Sequence, residues 1–584
     1  MLNSTPVPLL AVLWPLVGAA IVVGLSRFLP HWLCRLVAMA ASLVSLSALW
    51  SLRSPGMEPT GLDWEPLNLF RMSPTFQANS LALVVGITLA GFTAAAVLGI
   101  RGTSPKKTSW HGLILVTLAG CLVLVLAANL LTLALGSGLI DLALIGMAIY
   151  SRDTGEQAQR VAWRMAVPGI LSTLVLFAGA AWMDAQTGTA SLLARQVPLE
   201  VLTLMCVSGL LRLMIFPLHP RGLKQGEQIA THILPFGAGA YLLARAQAID
   251  PSLAGQPWIW IVGGVALLAG GWMLWVGPMR SVHHEQGAAR MGIVANQTGL
   301  ALTFLLLSTT GMPWPLISLP LALGLLAIWW DSGSERPAAS RPTWLAGLDR
   351  WFTPRRPRVN SWIARRVPAL RSTASAVVWW QGTWLARRGP ALLPALALAS
   401  LAGVPFTAGA MTRWRMYGGL MQERRATLLL ALLVADSLLV AGLWAASKSV
   451  LKQADAKRPQ AAALLAMLAL AVLLVLIGIL PQKLAGGLGL PAQAAKVSVW
   501  GLGLIYVLPW LVGSWLARVT GPTKRLLAPV LRLTSLDRVF RATARAGQWL
   551  VDAVYWVGSV GEGEGWWAWA LIILAVGTLF LAAR

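Results

Sequence analysis

Charge is scarce in this chain of 584 residues: 11% of positions carry Asp, Glu, Lys or Arg, against about 25% in an ordinary soluble domain. So few charges could not cover a soluble core of this size. The shortage excludes a soluble enzyme, a disordered chain and a coiled coil. Acidic residues are the scarcer sign, 21 against 46 Lys and Arg, for a net charge of +25. An excess of base can signal nucleic acid, but no basic–aromatic motif of the recognised kinds accompanies it, so nucleic acid is not an expected partner. Cysteine is nearly absent. Cys34, Cys121 and Cys206 lie far apart in apolar runs, which excludes a disulfide framework, a zinc site and an iron–sulfur motif and leaves them as small buried hydrophobes. There is no Walker A motif, no dinucleotide fingerprint after a strand and no nucleophile elbow. The chain is therefore expected to carry no active site, cofactor or metal of its own.

What is abundant is hydrophobic sequence, 57% of the residues. A bilayer crossing needs about 20 mostly apolar residues. Sixteen runs qualify, near 8–26, 31–51, 79–100, 111–128, 130–150, 165–183, 200–217, 229–247, 257–277, 288–309, 313–330, 389–411, 426–447, 460–481, 497–517 and 565–582. The expected fold class is an all-α polytopic membrane protein with about 16 transmembrane helices. Met1–Pro8 has no basic stretch, so the first run is expected to be a retained span and not a cleaved signal. With the N-terminus placed outside (periplasmic), most Lys and Arg fall in cytoplasmic loops, as the positive-inside rule requires, and the membrane is expected to be a bacterial inner membrane. The loop 412–425, with Arg413, Arg415, Arg424 and Arg425, is discordant on the outer side: either it is special or span 12 does not cross simply.

Two segments do not read as spans. Residues 331–388 hold eleven Arg with several Pro and Trp, a basic cytoplasmic insert with stretches lying at the interface. Residues 518–563 alternate Arg525, Arg532, Arg538 and Arg541 with Leu526, Val530, Leu533 and Phe540, as an amphipathic surface helix does before the last span.

A charge at mid-bilayer costs roughly 2.5–3.5 kcal/mol on insertion scales, which makes each one a candidate for function. Asp141 lies in span 5, Arg212 in span 7 and Asp436 in span 13; His232 opens span 8 and Arg413 follows span 12. Spans 7 and 12 share a design, an apolar run, a Pro/Gly break (Pro217; Gly403 and Pro405) and a nearby Arg. Paired interrupted segments are a sign of a repeat-built transporter with an ion path at the midplane.

At these residues the chain resembles the antiporter-like membrane subunits of respiratory complex I, of membrane-bound hydrogenases and of Mrp-type cation/proton antiporters. The resemblance runs from about residue 110 to 450. It is carried by Phe216-Pro-Leu-His219-Pro, by Ala230-Thr-His232 through Gly239-Ala-Tyr241-Leu-Leu-Ala-Arg245, by Asn296-Gln297-Thr-Gly299, and by Leu401-Ala-Gly403-Val-Pro405-Phe-Thr-Ala-Gly409. Sixteen spans with a connector before the last also resemble the distal, L-type member, although the connector is short for it. The resemblance implies two inverted five-helix repeats: 111–247 (helices 4–8) and 257–450 (helices 9–13, with the insert 331–388), after N-terminal helices 1–3 in 1–110. Helices 14–15 at 460–517, the surface helix 518–563 and the last helix at 564–584 complete the order.

The departures from the family pattern concern the charges. The family's span-5 Glu aligns with Gly138, and Asp141 lies three residues on, on the same helical face. The family's lysines fall on Arg212, near Gly287 beside His283, His284 and Glu285, and on Arg413. Arg, unlike Lys, effectively never releases its proton. Arg212 is expected to pair with Asp141, and the titratable candidates become Asp141, His232, Asp436 and the His283–Glu285 run, with His219 and Gln297 as further positions. His232 is equally readable as a satisfied core histidine, and the His283–Glu285 run as a plain loop.

The function implied is translocation of protons, or of Na+, by a subunit of a complex-I-like energy-converting complex (an oxidoreductase of NADH:quinone or hydrogenase type), without a redox centre of its own. Its partners would be other membrane subunits and the lipid bilayer. The alternatives are a non-pumping scaffold derived from the family and the membrane subunit of an ion-gradient-driven inorganic-carbon uptake system.

Overall fold

The computed structural model describes residues 7–25, 28, 30–52, 60–61, 73–100, 107–150, 156–188, 190–193, 197–214, 226–276, 314–332, 391–422, 424–454, 459–481, 483 and 499–518. Fifteen α-helices lie among them: α1 Val7–Leu25, α2 His31–Ser51, α3 Ser80–Gly99, α4 Lys107–Val125, α5 Leu130–Tyr150, α6 Glu156–Thr187, α7 Leu199–Leu213, α8 Gly226–Ile249, α9 Pro257–Val276, α10 Trp314–Ser332, α11 Ala391–Ala402, α12 Ala408–Gln422, α13 Ala426–Ala454, α14 Ala461–Ile479 and α15 Val499–Arg518. Nine of these are long and apolar enough to cross a membrane. The protein is an all-α polytopic membrane protein. Fourteen of the sixteen expected spans have a helix at their place; spans 10 and 16, and all but the edges of the segments 331–388 and 518–563, lie outside the described residues.

Apolar side chains serve two solvents in this fold. In α14, Ala463, Ala466, Met467, Leu470, Ala471, Leu474 and Ile477 form the buried face at helical spacing, while Leu465, Leu468, Val472 and Ile479 point outward. Both faces are equally hydrophobic, because lipid is as apolar as a protein core. Burial, not hydropathy, therefore separates central from peripheral helices. In α10, 94% of the spanning stretch is inside the protein, packed against α3, α8, α12 and α14; in α15 only 17% is.

Small residues and caps set the helix approaches. α4 and α5 cross where Gly120 meets Gly136: a Cβ on Gly136 would lie 2.8 Å from the Gly120 carbonyl, the close approach that small residues allow between membrane helices. The turn between them is held by Asn129, whose side chain accepts from Thr132 N at 2.8 Å, an N-cap, and donates to Ser73 O at 2.9 Å. Asn79 caps α3 the same way through Ala82 N, 2.7 Å. The two-residue strands β1 Thr60–Gly61 and β2 Thr75–Phe76 pair antiparallel, and Phe76 bridges on to Ala127.

Of the two alternatives for residues 412–425, the structure takes the second: α12 runs as helix from Ala408 to Gln422, and span 12 is two helices, α11 and α12, with the break at Gly403 between them. One boundary is corrected. In span 7 the helix stops at Leu213, before Pro217: Met214 takes a left-handed conformation with φ 50°.

Candidate functional site

Among the described residues two ion pairs are buried, one beside the left-handed end of α7 and one beside the break between α11 and α12. The first joins α5, α6 and α7, which pack consecutively. Arg212 sits in the last turn of α7 and is fully buried; Asp141 of α5 is 4% exposed. α7 can bring Arg212 this deep because it crosses α8 closely at Gly209 and Gly239, where a Cβ on Gly239 would stand 2.8 Å from Gly209 O and 3.1 Å from Arg212 Cβ.

A single guanidinium nitrogen, Nη2 of Arg212, makes the ion pair. It donates to Asp141 Oδ1 at 3.0 Å and Oδ2 at 3.1 Å, to Ser137 O at 3.2 Å, to Gly169 O at 3.3 Å, to Thr173 Oγ1 at 3.1 Å, and to Ser137 Oγ. Nε donates to Ser172 Oγ at 3.3 Å, and that hydroxyl is 2.7 Å from Ser208 Oγ. Nη1 is buried with no partner among the described residues. Thr173 also donates to Asp141 Oδ2 and lies 2.6 Å from Ser137 Oγ. The carboxylate rests on Gly169, where a Cβ would collide with Oδ1. Gly138, where the family's Glu would align, has only Thr173 Cγ2 near, 3.8 Å from a built Cβ. Asp141, one turn on, is the acid that meets the arginine.

The second pair joins α12 and α13. Arg413 Nε donates to Asp436 Oδ2 at 3.1 Å and Nη2 to Oδ1 at 3.2 Å, a two-pronged fork. Nη2 also donates to Leu401 O at 2.5 Å, tying the pair to the end of α11. Asp436 is fully buried, Arg413 is 4% exposed, and Tyr417 donates its hydroxyl hydrogen to Asp436 Oδ2. The break is built by Gly403, whose φ of +75° ends α11. Val404 N donates to Ala399 O at 2.8 Å and Gly403 N to Ser400 O at 3.0 Å, the Schellman pattern. A side chain at 403 would also meet Arg413, whose Cδ is 2.6 Å from a built Cβ. Pro405 and Phe406 lie exposed in the break, while Thr407 is buried again at its far end. Tyr506 of α15 donates to the Gly403 carbonyl and stacks edge-on against Trp414, centroids 5.9 Å apart. A small cavity with room for about one water molecule is lined by Ser318, Ser400, Thr412 and Arg413.

Sequence reading paired Asp141 with Arg212 but left Arg413 and Asp436 as separate residues; the structure joins them. It missed Ser137, Gly169, Ser172, Thr173, Ser208, Tyr417 and Tyr506. The signal for Tyr417 was present: Tyr is rare, five in the chain, and Tyr417 stands four residues from Arg413, on the same helical face. Thr173 and Ser172 carried no such signal, since hydroxyls on membrane helices usually bond their own backbone. His232 is buried at 1% exposure, with neither ring nitrogen hydrogen-bonded among the described residues. The neighbouring Thr231 accepts from Trp110 Nε1 at 3.3 Å, linking α8 to α4. Pro217, His219, His283, His284, Glu285 and Gln297 lie outside the described residues. Cys34, Cys121 and Cys206 are buried thiols, as expected. No group of three His, Cys, Asp or Glu that could hold a metal occurs among the described residues.

No family model and no curated protein matches the sequence. Solved structures do match. A chain of the Mrp complex from Dietzia sp. DQ12-45-1b superposes with a TM-score of 0.68 at 16% identity, covering 99% of this chain; this chain spans 63% of that one. A chain of the membrane-bound sulfane sulfur reductase, an archaeal respiratory membrane complex, gives 0.60 at 16% identity over 98% of this chain and 99% of that chain. A chain of respiratory complex I from Thermus thermophilus gives 0.56 at 18% identity, over 83% of this chain and 99% of that chain. The protein thus shares the fold of these chains of the Mrp complex, the sulfane sulfur reductase and respiratory complex I.

Proposed function

We propose that the protein is an ion-translocating membrane subunit of a complex-I-like energy-converting complex, moving protons or Na+ without a redox centre of its own. The observation that carries the reading is the pair of buried Arg–Asp contacts, one beside each helix break. Two unit charges about 4 Å apart interact by about 4 kcal/mol at an effective dielectric of 20. Opening and closing such a pair is a large electrostatic event for neighbours inside a bilayer. Arg212 and Arg413 keep their protons, so they act as fixed positive charges that hold or release a carboxylate. Asp141, Asp436 and His232, whose ring nitrogens have no hydrogen bond among the described residues, are groups able to take up and give back a proton. Freed backbone groups at the breaks, tolerated only against protein or water, and the hydroxyl-lined cavity beside Arg413 give water a place to enter.

In this reading residues 111–247 and 257–450 are two inverted repeats, each with one pair, the N-terminus is periplasmic and the basic loops face the cytoplasm. Partner subunits bind along the membrane and drive the pairs. The loss of the family lysines favours a second reading, a non-pumping scaffold. Replacing Asp141 and Asp436 by Asn separates the two. In membrane vesicles holding the intact complex, each change abolishes ion movement coupled to the partner reaction if the chain translocates; undiminished coupled transport with both changes makes it a scaffold. Copurification of partner subunits under gentle detergent identifies the complex: a single soluble zinc protein in place of redox subunits moves the assignment to carbon uptake.

A further inference from the structure

We infer that the oxygen cage around Arg212 is a site for a free monovalent cation, Na+ in the first instance, and that the guanidinium is a tethered occupant that the ion displaces. The inference rests on the ion-translocating reading for its purpose, but it concerns binding and is tested by binding.

Six oxygens surround one nitrogen: both carboxylate oxygens of Asp141, the hydroxyls of Ser137 and Thr173, and the carbonyls of Ser137 and Gly169, at 3.0–3.3 Å apart from the closer Ser137 hydroxyl. Nη2 has two hydrogens and cannot serve six acceptors well. Nη1 of the same group, equally buried, has no partner among the described residues. A pocket shaped for guanidinium would spread its acceptors over the planar fork, as a bidentate carboxylate does. Here six converge on one nitrogen, and only the Ser172 hydroxyl is placed at another, Nε. Convergent carboxylate, carbonyl and hydroxyl oxygens are the ligand set of a hard cation, and one carboxylate gives the cage a charge of −1, which balances a single positive charge.

The surroundings fit the same occupant. Arg212 lies in the last turn of α7, which ends at the left-handed Met214, where a positive charge is favoured by the helix dipole. The hydroxyls of Ser137 and Thr173 are held in place by one another, 2.6 Å apart, and the close seat of the carboxylate on Gly169 fixes Oδ1. Ser172 and Ser208 offer the displaced guanidinium a polar ledge, since Nε already bonds Ser172. The second pair has no such cage: Arg413 uses two nitrogens in a fork, and Tyr417 fills the remaining place at the carboxylate. Cage and arginine cannot both be satisfied once a cation enters, because two like charges would share one carboxylate. Ion entry and release of Arg212 are therefore one event, which lets an arginine that never deprotonates still switch.

The test is thermal unfolding of the full-length protein in detergent, across a NaCl series kept at constant ionic strength with choline chloride. A ligand that binds only the folded state raises the melting temperature according to its affinity. For the wild type a Na+-specific rise appears only at high NaCl, because the tethered group competes. Arg212→Gln, which empties the cage, binds Na+ at least about tenfold more tightly, a difference that displaces the midpoint of the Na+ response accordingly. Arg212→Lys stays close to the wild type, since an ammonium fills the cage. Asp141→Asn and Ser137→Ala abolish and weaken the Na+ response respectively. If Arg212→Gln folds only in Na+ medium, that rescue supports the site. Equal responses of Arg212→Gln to Na+ and choline, or failure to fold in both, overturn it and leave Arg212 a structural partner of Asp141. Coupled transport lost without a Na+ response would retain the translocation reading and discard only the cation site.

Discussion

The two Arg–Asp pairs differ in how the arginine is held. At the first, one nitrogen faces six oxygens, and among the described residues every hydroxyl that bonds the pair belongs to serine or threonine. At the second, two nitrogens grip the carboxylate, a tyrosine hydroxyl adds to it, and a third contact runs to the carbonyl of Leu401 at the helix break. The lesson is that the same two residue types give a site that tolerates exchange of its cation and a site that defines a geometry. Arg is needed in the second because only a planar fork reaches carboxylate and carbonyl together. In the first, Nη2 alone meets the carboxylate, and Nε reaches only the Ser172 hydroxyl.

The contrast is broken or sharpened by substitutions, beginning with the carboxylates. Asp436→Asn leaves Arg413 buried without a counter-charge, and the expected loss is about 3–5 kcal/mol. Asp141→Asn likewise strands a fully buried arginine, but one still surrounded by neutral oxygens, so the loss is expected at the low end of the same range, about 3 kcal/mol. Denaturant unfolding in detergent measures both, and equal losses would erase the distinction between the sites. Next come the glycines. Gly403→Ala must accept a positive φ and a clash with Arg413, for about 1–3 kcal/mol. Gly169→Ala pushes Asp141 off its seat, at a similar cost of about 1–3 kcal/mol. The two variants disturb opposite pairs and, being independent, should add in the double mutant; strong non-additivity would mean that the two sites are coupled.

A smaller effect is expected at Tyr417. Tyr417→Phe removes a hydrogen bond to a charged acceptor, about 1.5–3 kcal/mol, and unfolding data that put it within error of wild type would deny the tyrosine its part in the fork. The smallest effect is reserved for lysine. Arg212→Lys should change stability by less than about 1 kcal/mol, whereas Arg413→Lys, which loses one prong and the contact to Leu401, should cost about 1–3 kcal/mol. Matched losses in the two lysine variants would show that both arginines work as forks.

Much of this was legible in the sequence, and the reasons are local. Hydropathy places a helix at fourteen of the expected spans because each must satisfy its own backbone in lipid. Asp141 and Arg212 stand out because charge within an apolar run is costly, and their pairing is implied by the resemblance, in whose pattern a span-5 acid meets a span-7 base. Gly403 and Pro405 mark the break in span 12 because one accepts positive φ and the other cannot continue a helix. The reading stumbled where a residue means different things in different packing. Arg413 and Arg415 looked like loop residues, since four basic residues within fourteen positions resemble a solvated turn; α12 is nonetheless helix, and Arg413 is inside it because Asp436 from α13 waits there. Pro217 looked like the end of span 7, but the chain turns three residues sooner at Met214, a position with no residue signature for left-handed backbone.

By itself, then, the sequence determined the class, the number and order of most helices, the place where span 12 breaks and the charges left within the membrane. All of these follow from the cost of exposing backbone and charge to hydrocarbon, a cost each segment meets on its own. Only the tertiary structure decided which helices are central and which peripheral, that Arg413 belongs to Asp436, that Tyr417 and Tyr506 serve the second break, and that six oxygens from two helices close on one nitrogen of Arg212. Those are distances between segments far apart in the chain, and a bilayer, apolar on every side of a helix, leaves no mark in the sequence of which side will meet protein.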